Sequence, residues 1–254
     1  MTAELQKASL SKRIAAALLD FMLLIIIITG AATLFANAFG YETHINTMDA
    51  RQKHFETQYG VVFQITEEDY NKLTEAERKN FDDAFDALTT DEEFLHAFNM
   101  QINLTLLITT LSILLGIFVV DFIFPLWLKN GQTVGKKIFG LGLVQVDSVQ
   151  VTKLQLFVRA MLGKFTVETM VPVYIFIMIY FNVANIVQLA VLVVLFVGQI
   201  ISLIVSKTNA AIHDLMSGTA VIDMPSQRIF QSKEALLEYT KEVHAERASR
   251  SDYK

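Results

Sequence analysis

Three carboxylates stand where their surroundings make an ionised group expensive: Asp20 in the apolar run from Ile14 to Ala36, Asp121 in the run from Ile102 to Leu128, and Glu168 in the tract from Thr166 to Val205. A charge at the centre of a membrane helix costs about 2.5–3.5 kcal/mol on insertion scales, so each of these needs a partner or a purpose. Asp20 follows Arg13 by seven residues and Asp121 precedes Lys129 by eight. The helical rise then sets both about 10–12 Å in from the same side of the membrane. Arg13 and Asp20 share a helix face but lie two turns apart, so each is expected to meet its partner on another helix. Pro125 and Pro172 each follow one of the carboxylates by four residues, and proline lacks the amide that would bond the carbonyl of Asp121 or of Glu168. A carboxylate and a freed carbonyl from one residue, repeated in two spans, is oxygen chemistry suited to a hard cation or a proton relay. The competing reading is a structural network of buried ion pairs.

Other chemistries are not expected. The chain has no cysteine, which excludes disulfides, thiol redox chemistry and cysteine-rich metal sites. "GQTVGKK" has three residues between its glycines and Lys137 after its first lysine, where a phosphate-binding P-loop needs four and then Ser or Thr. No calcium loop, metal-ligand cluster or Ser/His/Asp triad stands out, so no enzyme, catalytic residue, metal, cofactor or nucleic-acid partner is expected. His213 and Asp214 are sequence neighbours, pointing about 100° apart on a helix and unable to hydrogen-bond each other directly.

The elements that must position these groups follow from the distribution of apolar residues, which make up 53% of the 254 positions against 19% charged. Long apolar runs of about 20 residues are membrane spans. Two runs give one span each, and the tract from Thr166 to Val205 gives two, joined by a turn at "FNVAN" through Asn182 and Asn185. The first run is too long for a signal core and carries Asp20, so it is read as a retained span. Lys7, Lys12 and Arg13 precede the first span; Lys129, Lys136, Lys137, Lys153, Arg159 and Lys164 lie between the second and third; residues 37–99 hold 14 acids and 5 bases. Basic short loops face the cytoplasm, so both termini are expected inside and the acidic stretch outside.

The expected fold is an all-α polytopic membrane protein with four transmembrane helices, an external helical insertion and a short cytoplasmic β-hairpin. Its parts are the N-terminus and first span (1–36), the acidic loop (37–99), the second span (100–128), a connection (129–164), the third and fourth spans (165–205), a His-Asp segment at the inner face (206–224) and a helical tail (225–254). In the loop, Thr74-Glu-Ala-Glu77 and Thr90-Asp-Glu-Glu93 match the helix-starting capping box, with Phe81, Phe85 and Leu88 on one face between them. The connection alternates at Leu141, Leu143 and Val149, Val151 around Asp147-Ser148, which reads as the hairpin, and an amphipathic stretch with Leu154, Leu156, Phe157 and Met161 follows. Gly198, Ser202, Ser206 and Ala210 repeat every four residues, a small-residue stripe suited to close helix packing. Ser232 to about Ala248 reads as a charged surface helix.

Three segments in order, "KRIAAALLDFMLL", "GQTVGKKIFGLGLV" and "AAIHDLMSGTAVI", resemble the RDD family of membrane proteins, named for one arginine and two aspartates. By this resemblance the arginine is Arg13 and the aspartates are Asp20 and Asp214. Asp214 is then expected to cap a helix or pair with Arg13 or Arg159 at the inner membrane surface. The resemblance implies a multi-pass protein of a bacterial cytoplasmic membrane, and sodium–proton exchange is attributed to a few family members. The leading expectation is therefore a secondary transporter or antiporter of a small cation coupled to protons, working as a homo-oligomer in the lipid bilayer. Its buried charges are Arg13, Asp20, Asp121, Arg159, Glu168, His213 and Asp214. The alternative is a non-transporting adaptor that holds a protein partner through the acidic loop or the tail.

Overall fold

The computed structural model describes residues 5, 8–180, 184–206 and 208–251. In chain order, α1 (Leu10–Ala38) is followed by α2 (Tyr41–Tyr59), α3 (Glu67–Lys72), α4 (Glu75–Thr90) and α5 (Glu92–Ile117). From α5 the helix continues through a π-helical stretch, Phe118–Ile123, into α6 (Phe124–Trp127). Next come α7 (Val134–Ile138), β1 (Leu141–Gln145) and α8 (Lys153–Phe157), which runs through a second π-helical stretch, Val158–Met170, into α9 (Val171–Tyr180). The chain closes with α10 (Ile186–Val205), α11 (Ile212–Ser217), β2 (Thr219–Asp223), a 3-10 turn and α12 (Lys233–Ser251).

Four helical stretches are long and apolar enough to cross a bilayer: Leu10–Ala38, Glu92–Trp127, Lys153–Ile179 and Ile186–Val205. The shortest has 20 residues, about 30 Å of helix, which matches a hydrocarbon core. Their apolar side chains point outward; every α10 residue is exposed or half-exposed, and Ile186, Ile204 and Val205 are largely bare. In water such a surface would aggregate, whereas lipid tails solvate it, so the environment of these helices is a bilayer. The third span has the lowest mean hydropathy, 1.5, because Lys164 and Glu168 lie within its apolar stretch. It begins at Lys153 as one continuous helix, so the amphipathic stretch expected before the span is its first turns. Asn182, half of the expected turn before α10, lies outside the described residues; Asn185 caps α10, its side chain accepting from Val187 N–H at 2.9 Å.

Contacts divide the chain into two units. The first comprises the chain up to Ile28 and from Ile113 onward. Its centre is the antiparallel pair β1–β2, with Leu141 opposite Asp223 and Gln145 opposite Thr219. Leu141, Leu143 and Val221 of this pair are buried with Ala16 and Leu156. An antiparallel two-stranded sheet is thus present, but its second strand comes from beyond α11. The turn at Asp147-Ser148 does fold back, with Gln145 N–H on the Val149 carbonyl at 2.8 Å and an isolated bridge between Val144 and Gln150. It stops there because the next donor along that edge, Leu143 N–H, is taken by the Asn130 carbonyl at 2.9 Å.

Both π-helical stretches end beside a proline, where a missing amide lets the helix widen. Phe124 N–H bonds the Val119 carbonyl and Val171 N–H the Thr166 carbonyl, five residues back in each case. The four-residue count that assigned freed carbonyls to Asp121 and Glu168 therefore fails in the turn before each proline. The small-residue stripe is also corrected. The helix ends at Val205, Ser202 Oγ donates to the Ala210 carbonyl at 2.6 Å, and Ser206 Oγ accepts from Ala210 N–H at 2.6 Å. A Cβ on Gly198 would meet nothing within 4 Å. The two serines fold the following loop back onto the helix end instead of seating a neighbouring helix.

The second unit, Thr29–Ser112, is built around α2 and α4. Phe55, Ala84, Leu88 and Ala97 are buried there, and Phe63 packs edge-on against Phe81 and Phe85. Thr74 and Glu77 form the expected capping box of α4. The second expected box is displaced by one residue. Asp91 accepts from Phe94 N–H at 2.8 Å and so starts α5, while the Thr90 hydroxyl donates back to the Asp86 carbonyl. Arg51 fixes Asp91 further with two hydrogen bonds of 2.9 and 2.5 Å.

Candidate functional site: a buried charge cluster

Arg159, only 2% exposed, is the hub of the first unit. Its Nε donates to Asp214 Oδ1 at 2.9 Å and its Nη2 meets His213 Nε2 at 2.8 Å. A guanidinium can only donate, so His213 Nε2 accepts and the imidazole proton sits on Nδ1. That nitrogen donates to Glu168 Oε2 at 2.7 Å, while His213 backbone N–H donates to Glu168 Oε1 at 3.0 Å. Burial, followed by the Arg159 charge, pushes the His213 imidazole below its ordinary range, in keeping with a neutral ring held between a cation and an anion.

This chain of contacts needs α11 to lie almost against the third span. Gly163 permits it, because a Cβ there would stand 2.5 Å from the His213 Cβ. Asp214 sits one residue on and is 1% exposed. Besides Arg159 it receives Arg13 Nη2 at 3.5 Å, and its Oδ2 accepts from Ala211 N–H at the start of α11 at 3.4 Å. Burial alone would raise this carboxyl. Arg159 outweighs it and holds the group well below the usual carboxylate range. His213 Nε2 and Asp214 Oδ1 are 3.6 Å apart, too far for a hydrogen bond, so the neighbours are joined through Arg159. Arg13 also donates to the Asn209 carbonyl at 2.6 Å and the Thr208 carbonyl at 3.4 Å, gathering the loop before α11.

Asp20 is held differently. Thr133 Oγ1 donates to its Oδ2 at 2.5 Å and Gly135 N–H to its Oδ1 at 2.8 Å. Thr133 is the N-cap of α7, so α1 places a carboxylate against free amides of a helix start. Gly135 is required there, since a Cβ would collide with the Ala16 carbonyl oxygen. The "GQTVGKK" segment, which binds no phosphate by its pattern, holds an internal anion. Asp121, 2% exposed, receives Lys164 Nζ at 2.5 Å.

All seven residues expected from the sequence are brought together in the first unit. Six of them, Arg13, Asp20, Asp121, Arg159, His213 and Asp214, line a single cavity of about 340 Å³, and Glu168 joins through His213. The carboxylates do not converge on one another; each is matched by the protein's own donors, and among the described residues no group of three acidic or imidazole side chains could hold a metal ion. Lys136, Lys164 and Thr133 were missed. The two lysines were read only as topological charges, and Lys164 carried a further signal, standing one helical turn before Glu168 on the same face. Lys136 is strongly perturbed. Burial, then Arg159 and Lys164, push its ammonium down to about 7 against the opposing pull of Asp121 and Asp20.

No curated protein and no solved structure matches the chain. The family model described as the RDD family matches residues 7–218. That span carries every charged residue of the cluster from Arg13 to Asp214, and the chain belongs to the RDD family.

Proposed function

We propose that this protein is a secondary transporter that exchanges a small cation for protons, and that the exchange takes place at Asp121 and Lys164. The observation that carries the reading is the Asp121–Lys164 pair: a carboxylate 2% exposed, inside a span, lines a cavity and is held by one lysine that is itself partly exposed. A cation entering the cavity competes with the ammonium for the carboxylate, and the displaced lysine loses its proton. Asp20 is less suited to exchange because protein donors occupy both of its oxygens. In this reading Arg159, His213, Glu168 and Asp214 fix the geometry and no reaction is catalysed. Basic connections point to a cytoplasmic side carrying both termini, α7, the sheet and α11, in a bacterial cell membrane.

The test is cation-dependent proton flux in vesicles containing purified protein. Asp121→Asn and Lys164→Met abolish flux while the exposed control Glu238→Gln retains it. Absence of flux from folded wild-type protein across several cations and both pH gradients would remove the reading. The second reading, a non-transporting adaptor, is supported by the packing within Thr29–Ser112, which gives the acidic segment a defined surface. On that reading, deleting Asn46 to Leu88 removes function while Asp121→Asn leaves it.

A further inference from the structure

The cavity lining is unbalanced. Four basic side chains, Arg13, Lys136, Arg159 and Lys164, face it against the acidic Asp20, Asp121 and Asp214. The unused hydrogen-bonding capacity is also of the donor kind. Arg159 Nη1 is buried without a hydrogen-bond partner, 3.9 Å from Asp121. Lys136, about nine-tenths buried, meets Thr133 Oγ1 at 3.4 Å, and no described carboxylate lies within ion-pair distance of its Nζ. A buried donor without an acceptor, as at Arg159 Nη1, is costly; Lys136 Nζ, whose bond to Thr133 is long, has further donors to give, and an oxyanion is the acceptor that both would share. The other wall is apolar, formed by Leu10, Ile14 and Phe21 of α1, each more than half exposed. A small inorganic anion gains nothing from that wall, whereas an acyl chain does.

We propose that the cavity binds the phosphate of an anionic membrane lipid. The headgroup oxygens accept from Arg159 Nη1 and Lys136 Nζ, and an acyl chain lies along Leu10, Ile14 and Phe21. Basic pockets between membrane helices are suited to such headgroups. The headgroup would share the cavity that holds Asp121 and Lys164, but its binding is read without flux and does not depend on exchange.

The experiment titrates purified protein, delipidated in an uncharged detergent, with fluorescent phosphatidylglycerol and phosphatidylcholine, and separately with glycerol 3-phosphate. Both lipids carry the phosphodiester, but phosphatidylcholine brings a quaternary ammonium against the basic lining, where like charges repel, so phosphatidylglycerol is expected to bind about tenfold tighter than phosphatidylcholine. Lys136→Gln removes most of that preference and Lys136→Arg keeps it. Should Lys136→Gln fail to fold, Arg159→Lys retains a cation beside Asp214 while deleting Nη1, and is expected to lose the preference likewise. Equal affinity for the two lipids, or a preference that survives in both Lys136→Gln and Arg159→Lys, would overturn the site. Glycerol 3-phosphate binding as tightly as the whole lipid, with the same need for Lys136, would overturn the lipid assignment in favour of a soluble phosphate ester.

Discussion

At Arg159 one buried side chain answers for the charge of Asp214 and the tautomer of His213. Breaking a buried pair by removing one partner costs about 3–5 kcal/mol, because the other charge is left uncompensated. Arg159→Leu is therefore expected to lower the unfolding temperature in detergent by far more than Lys12→Ala, which breaks the exposed 2.7 Å pair with Asp223. Arg159→Leu combined with Asp214→Leu should recover part of the loss. Lys136 gives a prediction with a sign. Its folded-state pKa of about 7 lies below the ordinary 10.5, so between these values the unfolded chain binds more protons than the folded one. Stability then rises with pH, by up to about 1.4 kcal/mol per unit from this group. Thermal unfolding from pH 7 to 9 should show wild type gaining on Lys136→Met; parallel curves would mean that Lys136 keeps its proton when folded. Asp20, Asp121 and Glu168 were legible in the sequence because their charge conflicts with apolar surroundings, and Arg13 and Asp214 because they stand in the segments that resemble the RDD family. Lys136 and Lys164 escaped because a lysine near a span end has an ordinary topological explanation.

Elements in this fold are placed by close approach as much as by apolar patterning. Gly163 lets α11 lie on the third span, and Gly135 lets the start of α7 reach Asp20 of α1. Adding a methyl where there is no room costs about 1–3 kcal/mol, so Gly163→Ala should destabilise the protein and loosen the Arg159–His213 contact, whereas Gly198→Ala, in open space, should be silent. Unfolding temperature in detergent reads both. Spans, the Thr74 capping box and the tail helix were legible because each leaves a local pattern: run length, cap spacing and a charged stretch. The pairing of β1 with β2 was not, since the turn at Asp147-Ser148 gave an equally good local partner and only the return of the chain through α11 brings Thr219–Asp223 alongside. The π-helical stretches were likewise hidden. Proline position announces a disturbed helix but does not say that the register widens before it.

As a whole molecule the protein is an RDD-family chain with four apolar helices in a bilayer and a buried charge cluster drawn from the first three spans and from α7 and α11. The uneven loop charges predict its orientation. The chain has no cysteine, so single substitutions report cleanly: Asp69→Cys should react with an impermeant maleimide from outside intact cells, and Glu238→Cys only after lysis. The reverse pattern would invert the assignment of sides. The exchange reading makes its most direct claim about competition, namely that a cation and the Lys164 proton cannot both be held at Asp121. It is tested by adding lithium, sodium or potassium chloride to purified protein in weakly buffered detergent and recording the pH. The account predicts that at least one of these salts releases protons from wild type and not from Asp121→Asn or Lys164→Met. Folded wild-type protein that releases none with any of them, or a release unchanged in Asp121→Asn, would contradict it.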